Sequence, residues 1–257
     1  MKEQKIRHYN SFTDDFEHTA NQDFKLPEDY KWVRNGFFAK ILSAFIYALA
    51  LLFSSIYCKF FLHMKVLGRK NLKKVKGGYF IYGNHTQPLG DVFIPALCAF
   101  PKRIYTLVGT ANYGIPVIGK LLPYLGALPI VNSLYGIKEL NKAMEYRLKY
   151  GHPIAIYPEA HVWEYYTKIR PFNDASFKFP AKFDCPAFAM TVTYKKAKFF
   201  KKPVMEVFVD GPFYPCGNSL KERSENLNKE IFAAMTNRSN NSDFEYIKYE
   251  KKQTPTV

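Results

Sequence analysis

Short apolar runs alternate with amphipathic segments over most of this chain. Runs rich in β-branched and aromatic residues, typical of buried strands, occur at residues 78–82, 104–108, 127–131, 152–157, 186–193 and 203–209. Segments with helical spacing of apolar positions lie between them, at residues 91–100, 115–123, 135–149, 174–183 and 219–236. Because strands that alternate with helices form a sheet covered by those helices, the pattern predicts an α/β fold with a mostly parallel or mixed central sheet flanked by helices.

The amino-terminal part of the chain has a different pattern. Residues 1–35 are a polar lead-in with little periodicity, and residues 36–62 are predominantly apolar. Ile41 to Cys58 is a run of 18 residues without a charge, within the roughly 17–25 residues that a spanning helix needs. Three structures remain open: a helix that crosses a bilayer, a helix in the membrane interface, and a buried core helix. Since two of them contact lipid, residues 36–62 are predicted to be a membrane-associated helix.

The rest of the chain divides into a folded domain and a tail. Residues 63–236 contain every predicted strand and the helices between the strands, so they are expected to form one domain. Residues 237–257 are polar and end in a run of lysine, glutamine, threonine and proline, which predicts a flexible tail.

Charge narrows the choice of partner. Lysine and arginine total 37 against 22 acidic residues, a formal net charge of +15. A surface this basic attracts polyanions: nucleic acid, an anionic membrane surface or a phosphorylated small substrate. No zinc-finger spacing and no RNP-type run is present, so nucleic acid is not expected. Beside a membrane-associated helix, the charge favours an anionic membrane surface as a partner.

The strand predicted at 78–82 is followed by Asn84 and His85, and five residues separate His85 from Asp91. A neutral imidazole oriented by a carboxylate can take a proton from a hydroxyl at neutral pH. His85 is therefore the candidate general base, with Asp91 as the partner of one ring nitrogen. The alternative for Asp91 is a plain N-cap of the next helix, since aspartate is favoured there.

A second polar cluster follows the strand predicted at 152–157, where Pro158 precedes Glu159. The carboxyl ends of parallel strands meet at one edge of a sheet, where open α/β folds bind ligands, so Glu159 is expected near His85. The alternative is an exposed loop acid. A metal site from His85, Glu159 and His161 is not expected, because no H-x-x-x-H or H-x-H spacing supports it.

These residues resemble a known family. Gly83-Asn84-His85, Asp91 and Tyr157-Pro158-Glu159 are similar to the first and third motif blocks of the glycerolipid acyltransferases, the 1-acylglycerol-3-phosphate acyltransferase type within the lysophospholipid acyltransferase superfamily. The lead-in from Val66 to Leu72 is similar as well. The resemblance covers residues 60–210 approximately, and it makes residues 63–236 the expected acyltransferase domain.

The resemblance implies an activity and a role for each residue. His85 would deprotonate an acceptor hydroxyl, which attacks the thioester of acyl-CoA or of an acylated acyl carrier protein, and Asp91 would orient His85. The acceptor would be a lysophospholipid such as 1-acylglycerol-3-phosphate. Glu159 would help hold the acceptor. Asn84, next to His85, is also a candidate for substrate binding. Arg170 is the candidate anion-binding group on its chemistry, since it follows an aromatic cluster and a guanidinium pairs well with phosphate. No cofactor is implied, and the expected location is the cytoplasmic face of a membrane, peripheral or single-pass.

The chain departs from the family pattern at three places. The family has four residues between His and Asp, and this chain has one more. Pro158-Glu159 is followed by Ala160-His161 rather than by Gly-Thr-Arg. The second block, Gly126 to Asn132, lacks the arginine that holds an acceptor phosphate in the family. Two other functions therefore stay open: a degenerate, non-catalytic member that binds lipid or a partner enzyme, and a metal-dependent hydrolase.

Overall fold

The structure is a computed structural model that describes residues 4–17, 23–198 and 202–252. The strands in those ranges are β1 (Lys5–Tyr9), β2 (Lys65–Leu67), β3 (Phe80–Gly83), β4 (Tyr105–Gly109), β5 (Ala127–Ile130), β6 (Ile154–Ile156), β7 (Ala187–Lys195), β8 (Val204–Phe213) and β9 (Ile247–Lys251). The helices are α1 (Phe37–Ile56), α2 (Gly90–Ala99), α3 (Ile118–Leu125), α4 (Leu134–Lys149), α5 (Lys178–Phe183) and α6 (Leu220–Ser239). A π-helical turn, Tyr57–Phe61, continues α1, and 3-10 turns lie at Arg69–Lys74, Thr110–Gly114 and Ala175–Phe177.

Seven strands form the central sheet, in the order β2-β8-β7-β3-β6-β4-β5. Neighbouring strands are parallel except for the antiparallel pair of β7 and β8. The sheet is therefore mixed and mostly parallel, which confirms the predicted fold class. The strand β3 lies between β7 and β6, and Tyr82 near its end is level with Ile156 at the end of β6. The loops after β3 and β6 consequently leave the sheet side by side.

Both faces of the sheet are covered. Successive side chains of a strand point to opposite faces, yet Phe80, Ile81 and Tyr82 of β3 are all fully buried. Ile81 packs in one apolar cluster with Ile94 of α2, and Phe80 and Tyr82 pack in the other with helices α4 and α6. A β3 buried on both sides has little freedom to shift its register, so the loop that carries His85 has a rigid base.

One face of α1 packs on the domain while the other remains exposed. The hydroxyl of Ser43 donates to the carbonyl of Tyr124, 2.9 Å away, and the hydroxyl of Tyr47 accepts from the amide of Ile104 at 3.2 Å. Phe38 is 83% exposed and Leu52 60% exposed. The helical stretch Phe37–Phe61 is long and apolar enough to cross a membrane by length and composition, and most of its residues are not buried in the protein.

Parts of the expected lead-in and of the expected tail form regular secondary structure. The strand β1, within the expected polar lead-in, pairs in parallel with β9, within the expected flexible tail, and Lys5 lies opposite Ile247. Helix α6 also continues to Ser239. Five-residue strands with few apolar positions give a weak signal, and each is stable only because the other lies beside it. Residues 253–257 of the expected tail lie outside the described residues.

We predict from the β1–β9 pair that strand β9 contributes measurably to the stability of the protein. Ile247 is 2% exposed and packs in an apolar cluster of the domain. We expect Ile247→Ala to lower the free energy of unfolding by about 2–4 kcal/mol, because it leaves a cavity. The exposed Lys251→Ala is the control, with an expected change within about 0.5 kcal/mol. Equal urea unfolding curves for the two variants would contradict the β1–β9 packing.

Candidate active site

The structure brings His85 and Asp91 together. His85 lies in the loop directly after β3, and Asp91 lies in the first turn of α2. The Nδ1 atom of His85 is 2.7 Å from Oδ2 of Asp91. The Asp91 side chain is 1% exposed, whereas that of His85 is 21% exposed. The carboxylate is thus inside the protein and the imidazole reaches the surface. This is the arrangement of a base that is oriented by a buried third group.

A compact turn accommodates the additional residue between His85 and Asp91. Oδ2 of Asp91 accepts the amide of Gln87 at 2.8 Å, and the amide of Asp91 donates to the carbonyl of Gln87 at 3.0 Å. Gly90 makes this turn sterically feasible, since a Cβ atom there would come within 2.9 Å of Cβ of Gln87. Asp91 does not serve as the N-cap, because α2 begins at Gly90.

Burial and hydrogen bonding act in opposite directions on Asp91. Burial raises the pKa of its carboxyl above the ordinary value, and the hydrogen bond from His85 opposes that rise. Oδ1 is buried without a hydrogen-bond partner among the described residues, which adds to the cost of the charged form. The pairing with His85 is therefore what makes a carboxylate tolerable at this position.

Tyr157 holds the other side of the imidazole. Its ring stacks on that of His85, with centroids 4.5 Å apart and an interplanar angle of 21°. Its hydroxyl donates to the backbone carbonyl of Asp91 at 2.6 Å. Gly83 admits this ring, because a Cβ atom there would lie 2.7 Å from Cε1 of Tyr157. Burial raises the pKa of Tyr157 well above its ordinary value, so the phenol stays a neutral donor.

Glu159 and Arg170 form a buried ion pair next to His85. Oε2 of Glu159 accepts both the backbone amide of His85 and the Arg170 guanidinium, each at 3.0 Å. Its Oε1 accepts the amide of Arg170 at 2.8 Å. The Glu159 side chain is 0% exposed and that of Arg170 is 1% exposed. This carboxylate therefore fixes the backbone that carries the catalytic candidate.

Arg170 has no surface available to a ligand in this conformation. Its guanidinium also donates to the carbonyls of His161 and Phe12, and it lies against the Trp163 ring at 4.8 Å. Leaving a buried charge without its partner costs about 3–5 kcal/mol. That cost is larger than the free energy that one exposed ion pair with a phosphate contributes. The expectation that Arg170 and Glu159 contact the acceptor does not fit these positions.

Asn84 also joins parts of the protein rather than facing a substrate. Its amide donates to the carbonyl of Val192 at 3.0 Å and its Oδ1 accepts the amide of Val192 at 2.8 Å. Asn84 is 1% exposed. These two bonds fasten the end of β3 to β7, so the expected role in substrate binding gives way to a role in shaping the loop.

His85, Glu159 and His161, the residues of the candidate metal site, each contact a different partner. His85 pairs with Asp91, Glu159 pairs with Arg170, and Nδ1 of His161 is 3.4 Å from Oδ2 of Asp15. In the part of the chain that the structure describes, no group of three or more His, Cys, Asp or Glu side chains is arranged to hold a metal ion.

Sequence reasoning missed two tyrosines that shape this site. Tyr157 was recognised only as part of a motif, although its place directly before Pro158-Glu159 put it at the same sheet edge as His85. The hydroxyl of Tyr194 lies 2.8 Å from the hydroxyl of Thr86 and accepts the side-chain amide of Gln87 at 3.0 Å. Its position on β7 was predictable, but no local signal relates it to the loop after β3.

Comparisons with known proteins bear on the family and the fold of this chain. A comparison with curated protein sequences gave no significant match. The fold is similar to that in the crystal structure of the 1-acyl-sn-glycerophosphate (LPA) acyltransferase PlsC from Thermotoga maritima, with a TM-score of 0.56 and 15% sequence identity, covering 80% of this chain and 84% of that one. Residues 63–193, half of the chain, match the family described as Acyltransferase. The motif resemblance is thereby confirmed, and the chain belongs to the acyltransferase family.

Proposed function

We propose that this protein is a membrane-associated O-acyltransferase of phospholipid biosynthesis. It transfers a fatty acyl group from acyl-CoA or acylated acyl carrier protein to the hydroxyl of a glycerolipid such as 1-acylglycerol-3-phosphate. The single observation that carries the proposal is the 2.7 Å contact between Nδ1 of His85 and Oδ2 of Asp91, combined with an accessible imidazole. Family membership supports acyl transfer. The thioester donor and the glycerolipid acceptor follow from the motif resemblance.

The mechanism uses the second nitrogen of His85 as the base. Asp91 accepts a hydrogen bond from the Nδ1–H group, which leaves Nε2 with a free lone pair. Nε2 takes the proton of the acceptor hydroxyl while that oxygen attacks the thioester carbonyl. The tetrahedral intermediate then expels the thiolate, which takes the proton back from Nε2. The products are an ester and a free thiol, so the imidazole returns unchanged.

The surrounding residues keep the base in one orientation. Tyr157 restrains the ring by stacking, and Glu159, backed by Arg170, holds the backbone amide of His85. We assign Glu159, Arg170 and Asn84 positioning roles, since their side chains are buried and already bonded within the protein. A base whose rotamer is fixed loses less entropy when the reacting hydroxyl arrives.

The membrane is contacted through α1. Ser43 and Tyr47 bond to the domain, while Phe38 and Leu52 on the other face are exposed. A helix held lengthwise against a polar domain cannot also be surrounded by hydrocarbon, so we favour a helix that lies in the interface over one that spans the bilayer. The net charge of +15 supports an anionic surface. Both thioester donors are cytosolic, which favours the cytoplasmic face.

A non-catalytic, lipid-binding member is the alternative, because the family's phosphate-binding arginines are missing at Gly126–Asn132 and after Pro158-Glu159. The bonded pair of His85 and Asp91 favours catalysis instead, since a protein that only binds lipid has no need of an oriented base.

The first prediction concerns His85. We expect His85→Ala to lower the rate of acyl transfer by about 10²- to 10⁴-fold, the usual contribution of a general base. The measurement is product formation by mass spectrometry, with membranes that contain the protein, an acyl-CoA and a panel of lysophospholipids. His8→Ala is the matched control, because the His8 side chain is 54% exposed and belongs to the β1–β9 pair.

Equal rates for His85→Ala and the wild type would remove His85 from the mechanism. A wild type that binds anionic vesicles but converts no acceptor in the panel would support the non-catalytic alternative.

The second prediction separates catalysis from stability at Asp91. Asp91→Asn keeps the shape but cannot hold an imidazolium, so we expect kcat to fall by about 10²-fold or more. Since burial raises the pKa of Asp91 above its unfolded-state value, the wild type loses stability as the pH rises from the unfolded-state pKa through the folded-state pKa, and asparagine does not titrate. The free energy of unfolding of Asp91→Asn relative to the wild type should therefore increase as the pH rises from about 4, the unfolded-state pKa, through the folded-state pKa. A relative stability that falls with rising pH would contradict the assigned direction.

A further inference from the structure

A cavity lies at the opposite edge of the sheet from His85. Its volume is about 320 Å³, and its lining includes Arg34, Arg103, Arg147 and His152. Arg103 and His152 each lie two residues before a strand, β4 and β6 respectively, and these strands are parallel neighbours. The cavity is thus at the amino ends of these strands, whereas the loop of His85 follows the carboxyl end of β3. It is separate from the site of acyl transfer.

The positive charges around this cavity are not neutralised by carboxylates. Among the described residues that line it, none is an aspartate or a glutamate. The arginines are held by aromatic rings and by neutral acceptors instead, and the Arg103 guanidinium donates to the hydroxyl of Ser43 and to the carbonyl of Tyr124. Cζ of Arg147 lies 4.3 Å and Cζ of Arg103 5.4 Å from the centroid of the Tyr105 ring, and Cζ of Arg34 lies 5.4 Å from that of Tyr30. Cation–π contacts orient a guanidinium but leave its charge in place.

Burial adds to the cost of these positive charges. Burial lowers the pKa of the Arg147 guanidinium, and the charge of Arg103 lowers it further. Burial, followed by the charges of Arg147 and Arg103, also holds the pKa of His152 below its ordinary value. The cavity therefore has a positive potential, which a bound anion would compensate.

We propose that this cavity binds a phosphate group. Guanidinium groups match phosphate oxygens in geometry and charge. Two neighbouring arginines bind a dianion such as phosphate better than they bind a singly charged carboxylate. Two ligands could supply this phosphate group and would fit the same arginines: a free phosphate ion, or the headgroup of an anionic phospholipid. The second is reasonable because Lys40 and Ser43 of α1 also line the cavity, and the neighbouring Phe37 and Phe38 are exposed.

The test compares two charge-removing variants on one helix. Arg147 lines the cavity, and Lys149 is an exposed residue of the same helix that does not. The full-length protein in a neutral detergent is titrated with inorganic phosphate by calorimetry at constant ionic strength. In a second arm, flotation is measured with phosphatidylcholine vesicles, with and without phosphatidic acid.

We expect Arg147→Gln to weaken phosphate binding by about tenfold or more, as for the loss of a charge-assisted hydrogen bond, and Lys149→Gln to leave it within about twofold. A headgroup ligand gives the same contrast in the phosphatidic acid arm and no binding of free phosphate. Arg34→Gln is the second variant, needed if thermal unfolding shows that Arg147→Gln does not fold. If the folded cavity variants equal Lys149→Gln in both arms, the proposal is overturned.

Discussion

The contact between the imidazole of His85 and the buried carboxylate of Asp91 is the constraint on which the rest of the site depends. A carboxylate at 1% exposure is unfavourable by itself. It is tolerated because its Oδ2 contacts Nδ1 of His85 and accepts the amide of Gln87. Removing either contact would leave the buried charge less compensated. The loop between β3 and α2 is therefore shaped as much by the need to satisfy Asp91 as by any need to bind substrate.

The residues around His85 and Asp91 also satisfy one another's buried polar groups. Glu159 holds the amide of His85, Arg170 neutralises Glu159, and the carbonyl of Phe12 accepts from Arg170. Each step satisfies a polar group that the previous step buried. The chain's amino-terminal segment thus takes part in supporting the active site through backbone contacts, which the β1–β9 pair keeps in position. The site is consequently a property of the whole fold rather than of one loop.

The contact between His85 and Asp91 was predictable because the two residues are close along the chain and follow a strand that is apolar throughout. The sheet edge shared with Glu159 was also predictable, since parallel strands bring their carboxyl ends together. The sequence assigns Arg170 to substrate binding because a guanidinium pairs well with phosphate and the second motif block lacks its arginine. Its burial depends on Phe12, Trp163 and Glu159 meeting around it, and no local pattern reports such a long-range enclosure. The β1–β9 pair was missed for a similar reason.

The most direct test of the central claim is the tautomer of His85. Nitrogen-15 NMR of the histidine-labelled protein, with the His85 signals assigned by their loss in His85→Ala, distinguishes a protonated from an unprotonated ring nitrogen among the six histidines of the chain. The account predicts that neutral His85 carries its proton on Nδ1, donated to Asp91, with Nε2 free to act as the base. A neutral His85 with its proton on Nε2, or averaged between the two nitrogens, would contradict it.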